Sequence, residues 1–559
     1  MMAPKPALSE LPIKRAETGF YRGFSIDVTV ASKIIISALV VWAIFWPVQA
    51  GETLGDWNTL ILANFAAWYI WAVALFVTVC IGLAIWPAAG RLNLGRPGEK
   101  PDFSNFSWFS MMFSAGIGVG MLTWAVAEPV THFANNPEVI QGLTTGGGAD
   151  NVRMAYKWSF LHWGFGAWSC YAIAGLSMAF FSYRRALPLT IRSSLTPIFG
   201  KVLSGPLGHL IDIVAVVATI LGVAQTLGFG AEQFVAGLTR IGIGGLVNAD
   251  GTTNSSGIVI ALILIMGAST LSALSGVRKG IKWLSNINMF LSIILLSFLI
   301  IFGSTFFGGS ALLFGIWDYV IALPKMSINV WGTDGVEGSE AFLLTQWQGS
   351  WPVFYWAWWI AFAPFVGLFL ARISRGRTIR EFVLGAMFVP SLMCFIWFAW
   401  AGGTAIDLEL NGGANGLILD TANGDKIFAM TAFILAPIGE WLAWGMALLI
   451  VALLMTFLVT SADSAVLIVN TINAGGDEGP KARPHILFWG AALGLVVVGL
   501  LISGGTEAIK MAMVIGALPF SIVMVLMCFA LVMAIYYDGR REAAGVQTTF
   551  ASDNSMPAG

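Results

Sequence analysis

Apolar runs of about twenty residues, the length that crosses a bilayer, recur along almost the whole chain. In hydrocarbon no water is present to bond backbone N–H and C=O groups, so runs of this kind fold as helices packed on one another. Bounded by charge and by Gly and Pro, twelve windows stand out, near 29–48, 66–87, 106–128, 153–182, 208–238, 257–276, 284–308, 349–371, 381–403, 436–468, 484–504 and 510–537. The expected fold class is an all-α polytopic membrane protein with twelve transmembrane helices. A cytoplasmic segment 1–28 precedes a helical domain 29–537, and a short cytoplasmic tail 538–559 follows it. Composition enters as an exclusion. With 57% hydrophobic and 11% charged residues, the chain is neither a soluble enzyme nor a disordered one. Lys+Arg 29 against Asp+Glu 30 leaves no basic excess for a nucleic acid. The polar start and the length of the first window argue against a cleaved leader.

Charge sets the sidedness. Basic residues gather in every second connection: Lys14, Arg15 and Arg22; Arg91, Arg96 and Lys100; Arg184, Arg185 and Arg192; Arg278, Lys279 and Lys282; Arg372, Arg375, Arg377 and Arg380; Lys481 and Arg483; Arg540 and Arg541. The intervening connections carry Glu52, Asp56, Glu138, Asp150, Asp250, Asp334, Glu337, Asp407, Asp420 and Asp425. The positive-inside rule then places both termini in the cytoplasm of what reads as a bacterial inner-membrane, multi-pass protein. The segment 310–324 is too short to cross and, with Trp317 and Tyr319, reads as a helix lying along the outer surface. Cys80, Cys170, Cys394 and Cys528 lie inside apolar windows, too widely spaced for a metal or redox motif, and read as packing residues.

The third window holds three alternate glycines, Gly116, Gly118 and Gly120, each costing about 1 kcal/mol of helix propensity relative to Ala. Small residues also serve close helix packing. The sharper reading is an unwound stretch lining a polar cavity, the arrangement that marks transporter binding sites near the midplane. The eighth window opens Ser350-Trp351 as the third opens Ser107-Trp108, and Pro364 is expected to bend it, which suggests an inverted repeat. That window is crowded with aromatics: Trp351, Phe354, Tyr355, Trp356, Trp358, Trp359, Phe362 and Phe365. Over about 21 Å of helix they run well past an interfacial belt. Rings at that depth suit a quaternary ammonium, which has no N–H to bond but gains roughly 0.5–2 kcal/mol per π face.

At these residues the chain resembles the betaine–choline–carnitine transporter (BCCT) family, over about residues 20–537. Three stretches carry the resemblance: Ser114 to Gly120 with Ala127-Glu128-Pro129, Tyr355 to Trp359 continuing through Pro364 to Thr378, and Val459 to Ser464. The resemblance implies a LeuT-type fold, with two leading helices and inverted five-helix repeats formed by spans 3–7 and 8–12. It also implies a homotrimer. In the substrate cage it implies Trp163, Trp168 and Tyr171, with Trp358, Trp359 and Phe362, beside Gly116, Gly118 and Gly120. Spacing supports convergence, because Trp168 and Tyr171 share one helix face and Trp358 and Phe362 another. Phe362 stands where glycine-betaine carriers of the family commonly have Trp, so the passage beside the cage is roomier.

For the coupling ion the resemblance implies sodium, bound by backbone oxygens of Ser114, Ile117 and Phe457 and by the Thr460 and Ser461 hydroxyls. Ser and Thr hydroxyls in membrane helices also bond back to the preceding turn. Proton-coupled choline carriers commonly have Asp where this chain has Gly120, and sodium-independent carnitine exchangers tend to lose the hydroxyl pair retained here. The resulting expectation is a secondary importer, not an enzyme and without a cofactor. It takes a methylated onium zwitterion, glycine betaine or dimethylsulfoniopropionate in type, by sodium symport; proton-coupled choline uptake and a carnitine or trimethylamine N-oxide carrier are the alternatives. Membrane lipids are its surroundings and the onium its small-molecule partner. A channel gains nothing from a Trp cage. A metalloenzyme finds no ligand spacing among His132, His162, His209 and His485. Glu232, at membrane depth, is either proton-linked or facing a trimer contact or a water cavity. The short, weakly charged tail, with only Arg540 and Arg541 as a basic cluster, implies uptake without strong osmotic gating.

Overall fold

The structure, a computed structural model, describes residues 6–116, 118–248, 253–275 and 280–550, apart from the side chains of 113–116, 275 and 280–283. The long helices are α1 Ile26–Phe45, α2 Pro47–Ile85, α3 Asn105–Gly116, α4 Val119–Ala134, α5 Val152–Trp163, α6 Phe165–Ala179, α7 Pro206–Arg240, α8 Ser255–Ser275, α9 Gly280–Phe302, α10 Thr305–Met326, α11 Glu340–Ile373, α12 Ile379–Leu410, α13 Lys426–Leu435, α14 Glu440–Asn473 and α15 Arg483–Ala543. No strand occurs among the described residues. By length and apolar composition, 11 helices among the described residues can cross a membrane. The protein is therefore a polytopic all-α membrane protein.

Several elements differ from the sequence reading. The second window begins far earlier, since α2 runs 39 residues from a Pro at its first turn, so Glu52 and Asp56 belong to a helix and not to a loop. The third window holds two short helices, one ending at Gly116 and the next starting at Val119. The fourth, read as continuous, breaks at Gly164 between α5 and α6. At Pro364 the helix is not interrupted: α11 stays helical to Ile373, with a π turn at Gly349–Val353. The third and eighth windows therefore do not break alike. The last two windows, by contrast, are two helices as read: Gly504 and Gly505 leave helical φ/ψ and divide α15 between them. The segment 310–324 sits inside the 22-residue α10, so length no longer excludes it as a span.

Outside residues 276–283, the basic connections are joined to one another by contacts at one end of the bundle. Arg375 Nε donates to Glu99 (2.8 Å), Leu94 N to the Arg377 carbonyl (2.7 Å), and Arg15 to the Gly475 carbonyl (3.0 Å). Arg185 meets Asp538 at 2.7 Å, and Arg372 pairs with Glu478. Arg192 and Asp212, both fully buried, pair at 2.6 Å. At the site, α6 and α11 approach closely because small residues meet: a Cβ at Gly175 would lie 3.0 Å from the Gly367 carbonyl oxygen.

Candidate substrate and ion site

The break between α3 and α4 frees backbone at the centre of the bundle. Gly118 is the N-cap of α4 in an extended conformation, with no side-chain cap. The first N–H groups of α4, on Val119 and Gly120, have no intrahelical acceptor, and the helix dipole makes their end positive. Space at Gly120 is tight: a Cβ there would lie 3.1 Å from the Trp358 ring and 3.3 Å from that of Trp163. Ile117 lies outside the described residues, as do the side chains of Ser114 and Gly116.

The second break, at Gly164, orients the indoles. It leaves the carbonyls of His162 and Trp163 without helical partners. Trp359 Nε1 donates to the His162 carbonyl (3.0 Å), and Trp168 Nε1 to that of Trp163 (3.2 Å). A side chain at Gly164 would meet the Phe160 carbonyl oxygen at 2.5 Å and the Tyr319 hydroxyl at 2.7 Å. The rings then converge. Trp163 stands edge-on to Trp359 at 5.0 Å, and Tyr171 edge-on to Trp359 at 5.7 Å. Trp168 meets Tyr171 at 5.4 Å, and Trp358 stacks on Trp359 at 5.7 Å. Trp358 Nε1 is held by the Thr226 hydroxyl (3.2 Å).

All six expected cage residues, with Gly118 and Gly120, line one cavity of about 2540 Å³. It extends to the basic end, where Arg15, Arg372, Arg375, Lys481 and Arg483 stand at its mouth. Phe457, Thr460 and Ser461 line the same cavity. The Thr460 hydroxyl donates back to the carbonyls of Thr456 (3.0 Å) and Phe457 (3.1 Å) and accepts from Asn288 Nδ2 (3.3 Å). These oxygens could join a hard-cation shell only with ligands from the α3–α4 break. Phe362 packs on Phe365 at 5.6 Å farther along the wall. Glu232 is apart from the cage, half-buried against Thr506 and Glu507 just past the α15 kink.

Residues 27–540 match the family described as BCCT, betaine/carnitine/choline family transporter. The chain belongs to the BCCT family. Among relatives, the glycine betaine transporter OpuD of Bacillus subtilis is 36% identical over 91% of this chain and 94% of its own. The high-affinity choline transport protein of Escherichia coli is 36% identical over 93% of this chain and 73% of its own. The osmo-independent choline transporter BetT1 of Acinetobacter baylyi is 35% identical over 86% and 88%. This BCCT protein is a transporter and not an enzyme.

In this BCCT chain, tertiary structure also supplies a group that sequence reading left aside. Glu128 is fully buried behind the cage. Its Oε2 accepts from Trp163 Nε1 (2.7 Å) and from the Tyr355 hydroxyl, and its Oε1 lies 2.6 Å from His162 Nδ1. The Trp163 indole and the Tyr355 hydroxyl donate to the carboxylate, and the sense of the contact with His162 Nδ1 follows the imidazole tautomer. Its depth in an apolar window was the available signal, since an ionisable residue there is a functional candidate by default. The His162 and Tyr355 partners carried none, being separated in sequence.

Proposed function

We propose that this BCCT transporter imports a methylated onium zwitterion by alternating access, coupled to sodium. The observation that carries the reading is that Trp163, Trp168, Tyr171, Trp358 and Trp359 line one cavity beside the start of α4, where the rings of Trp163 and Trp358 pack close to Gly120. A trimethylated head in that cavity meets several π faces, worth roughly 0.5–2 kcal/mol each. A carboxylate on the same molecule is matched by the free N–H groups at the start of α4. Phe457, Thr460 and Ser461 stand on the facing wall as sodium ligands, with Ser114 and Ile117 completing the set. Each sodium ion gains about 2.3 kcal/mol from 100 mV and about 1.4 kcal/mol from a tenfold gradient. Two ions give roughly 7 kcal/mol, sufficient for about a 10⁵-fold solute gradient. With the basic end cytoplasmic, the cavity faces inward. The setting is a bacterial inner membrane, both termini inside, the assembly a homotrimer.

Choline is the second reading, favoured by the Glu128 charge behind Trp163, which suits a net cation. Relatives named for glycine betaine and for choline are equally similar to this chain. Competitive uptake in proteoliposomes separates the two. Glycine betaine, dimethylsulfoniopropionate, choline, carnitine and trimethylamine N-oxide are compared with and without a sodium gradient. A zwitterion should win and need sodium; preference for choline with sodium indifference overturns the reading. Trp359→Leu should abolish uptake of the winner, and unchanged affinity would remove the cage assignment.

A further inference from the structure

The two oxygens of Glu128 do different things. Oε2 is committed to the cage through Trp163 and Tyr355, whereas Oε1 faces two imidazoles. His132 lies one turn after Glu128 on α4, so the pair shares a helix face. Its Nε2 is 3.4 Å from Oε1, outside hydrogen-bonding geometry, and His162 Nδ1 on α5 is 2.6 Å from the same oxygen. All three side chains are fully buried. Neither ring nitrogen of His132 makes a hydrogen bond, and neither does His162 Nε2. Two imidazoles rarely leave three nitrogens unpaired in a sealed interior, because each unpaired polar atom costs about 1–3 kcal/mol.

We propose that Glu128, His132 and His162 form a site for a divalent transition-metal ion of zinc type. One oxygen and two nitrogens lie within 4.8 Å of one another. Ligands about 2.0–2.1 Å from a tetrahedral zinc stand roughly 3.3 Å apart, so small side-chain shifts suffice. The donor set, two imidazoles and a carboxylate, is one zinc favours over hard cations. Oε2 and its two donors then become the outer shell that orients the ligating carboxylate. The ion ties α4 to α5 directly behind Trp163, on the side of the cage away from the cavity mouth. The aromatic lid over the site, Trp351 at 4.4 Å and Trp347 at 5.5 Å from His132, keeps water from it.

The test uses the full chain, purified, stripped with chelator and reloaded with zinc. Metal content and zinc-edge X-ray absorption are the readouts, so the outcome does not depend on which solute is carried. One zinc per chain is expected, with imidazole scattering at about 2.0–2.1 Å. His132→Ala and His162→Ala should each cut retention at least tenfold, while His209→Ala and His485→Ala leave it unchanged. His132→Cys should keep the ion and add a sulfur at about 2.3 Å, which a variant that merely misfolds does not do. No stoichiometric zinc in the wild-type chain, or equal retention by His132→Ala, overturns the proposal and assigns the unpaired nitrogens to buried water.

Discussion

Glu128 is where the cage can be weakened without touching a ring that faces the cavity. In Glu128→Gln one oxygen still accepts from Trp163 and Tyr355, and the amide nitrogen takes the place of Oε1 beside His162 Nδ1. What is lost is charge. Hydrogen bonds to a charged group contribute about 1.5–3 kcal/mol against about 0.5–1.5 kcal/mol for neutral ones. Two weakened bonds therefore cost about 2 kcal/mol, or roughly a 30-fold rise in KM if the loss falls on the bound cation. Glu128→Leu is harsher. The Trp163 indole and the Tyr355 hydroxyl become buried donors with no acceptor, about 1–3 kcal/mol each, and the Trp163 ring is no longer fixed in the wall. Initial-rate uptake in proteoliposomes and thermal unfolding of the same preparations measure both effects. Compared in chelator-stripped preparations, the Gln variant should keep its Tm and lose affinity; the Leu variant should lose uptake with a lowered Tm. A Leu variant with wild-type KM and Tm would refute the reasoning.

Gly120→Ala should raise KM about tenfold, because its methyl sits nearer the Trp358 and Trp163 rings than ordinary contact allows. Unchanged KM in the same uptake assay would mean the rings yield freely. Thr460→Ala and Ser461→Ala should each raise the half-saturating sodium concentration roughly tenfold, about 1.4 kcal/mol. Sodium titration of uptake checks this, and an unaltered sodium curve in both removes the pair from the ion site. Arg192→Ala strands the buried Asp212 carboxylate and should destabilise by about 3–5 kcal/mol. The double variant Arg192→Met with Asp212→Leu should recover most of the lost Tm; failure to recover would show that the pair does more than balance charge.

That the aromatic candidates would share one cavity was legible largely because these residues announce themselves locally. Trp358 and Trp359 sit in an aromatic run too long for a belt, and Gly118 and Gly120 interrupt an apolar window at the point where α3 ends and α4 begins. The break at Gly164 was not legible. A single Gly in a membrane helix is common, and the reason for this one is steric crowding by Phe160 and Tyr319, the latter more than 150 residues away in sequence. Pro364 does not interrupt its helix, which runs on to Ile373. The sodium ligands remain as the family resemblance left them: Thr460 and Ser461 face the cavity, while Ile117 lies outside the described residues.

Hydrophobic length, glycine interruption and the alternation of basic connections are properties of short segments, and they alone determined that the chain is an all-α membrane protein with a broken helix and an aromatic span. Which groups meet was decided only by packing. The break at Gly164 frees the carbonyls of His162 and Trp163, which the indoles of Trp359 and Trp168 then bond, and Glu128 gathers donors from α5 and α11. Hydrogen bonds between distant segments leave no periodic trace in sequence, because each partner needs only to be the right donor or acceptor once the backbone has brought it there.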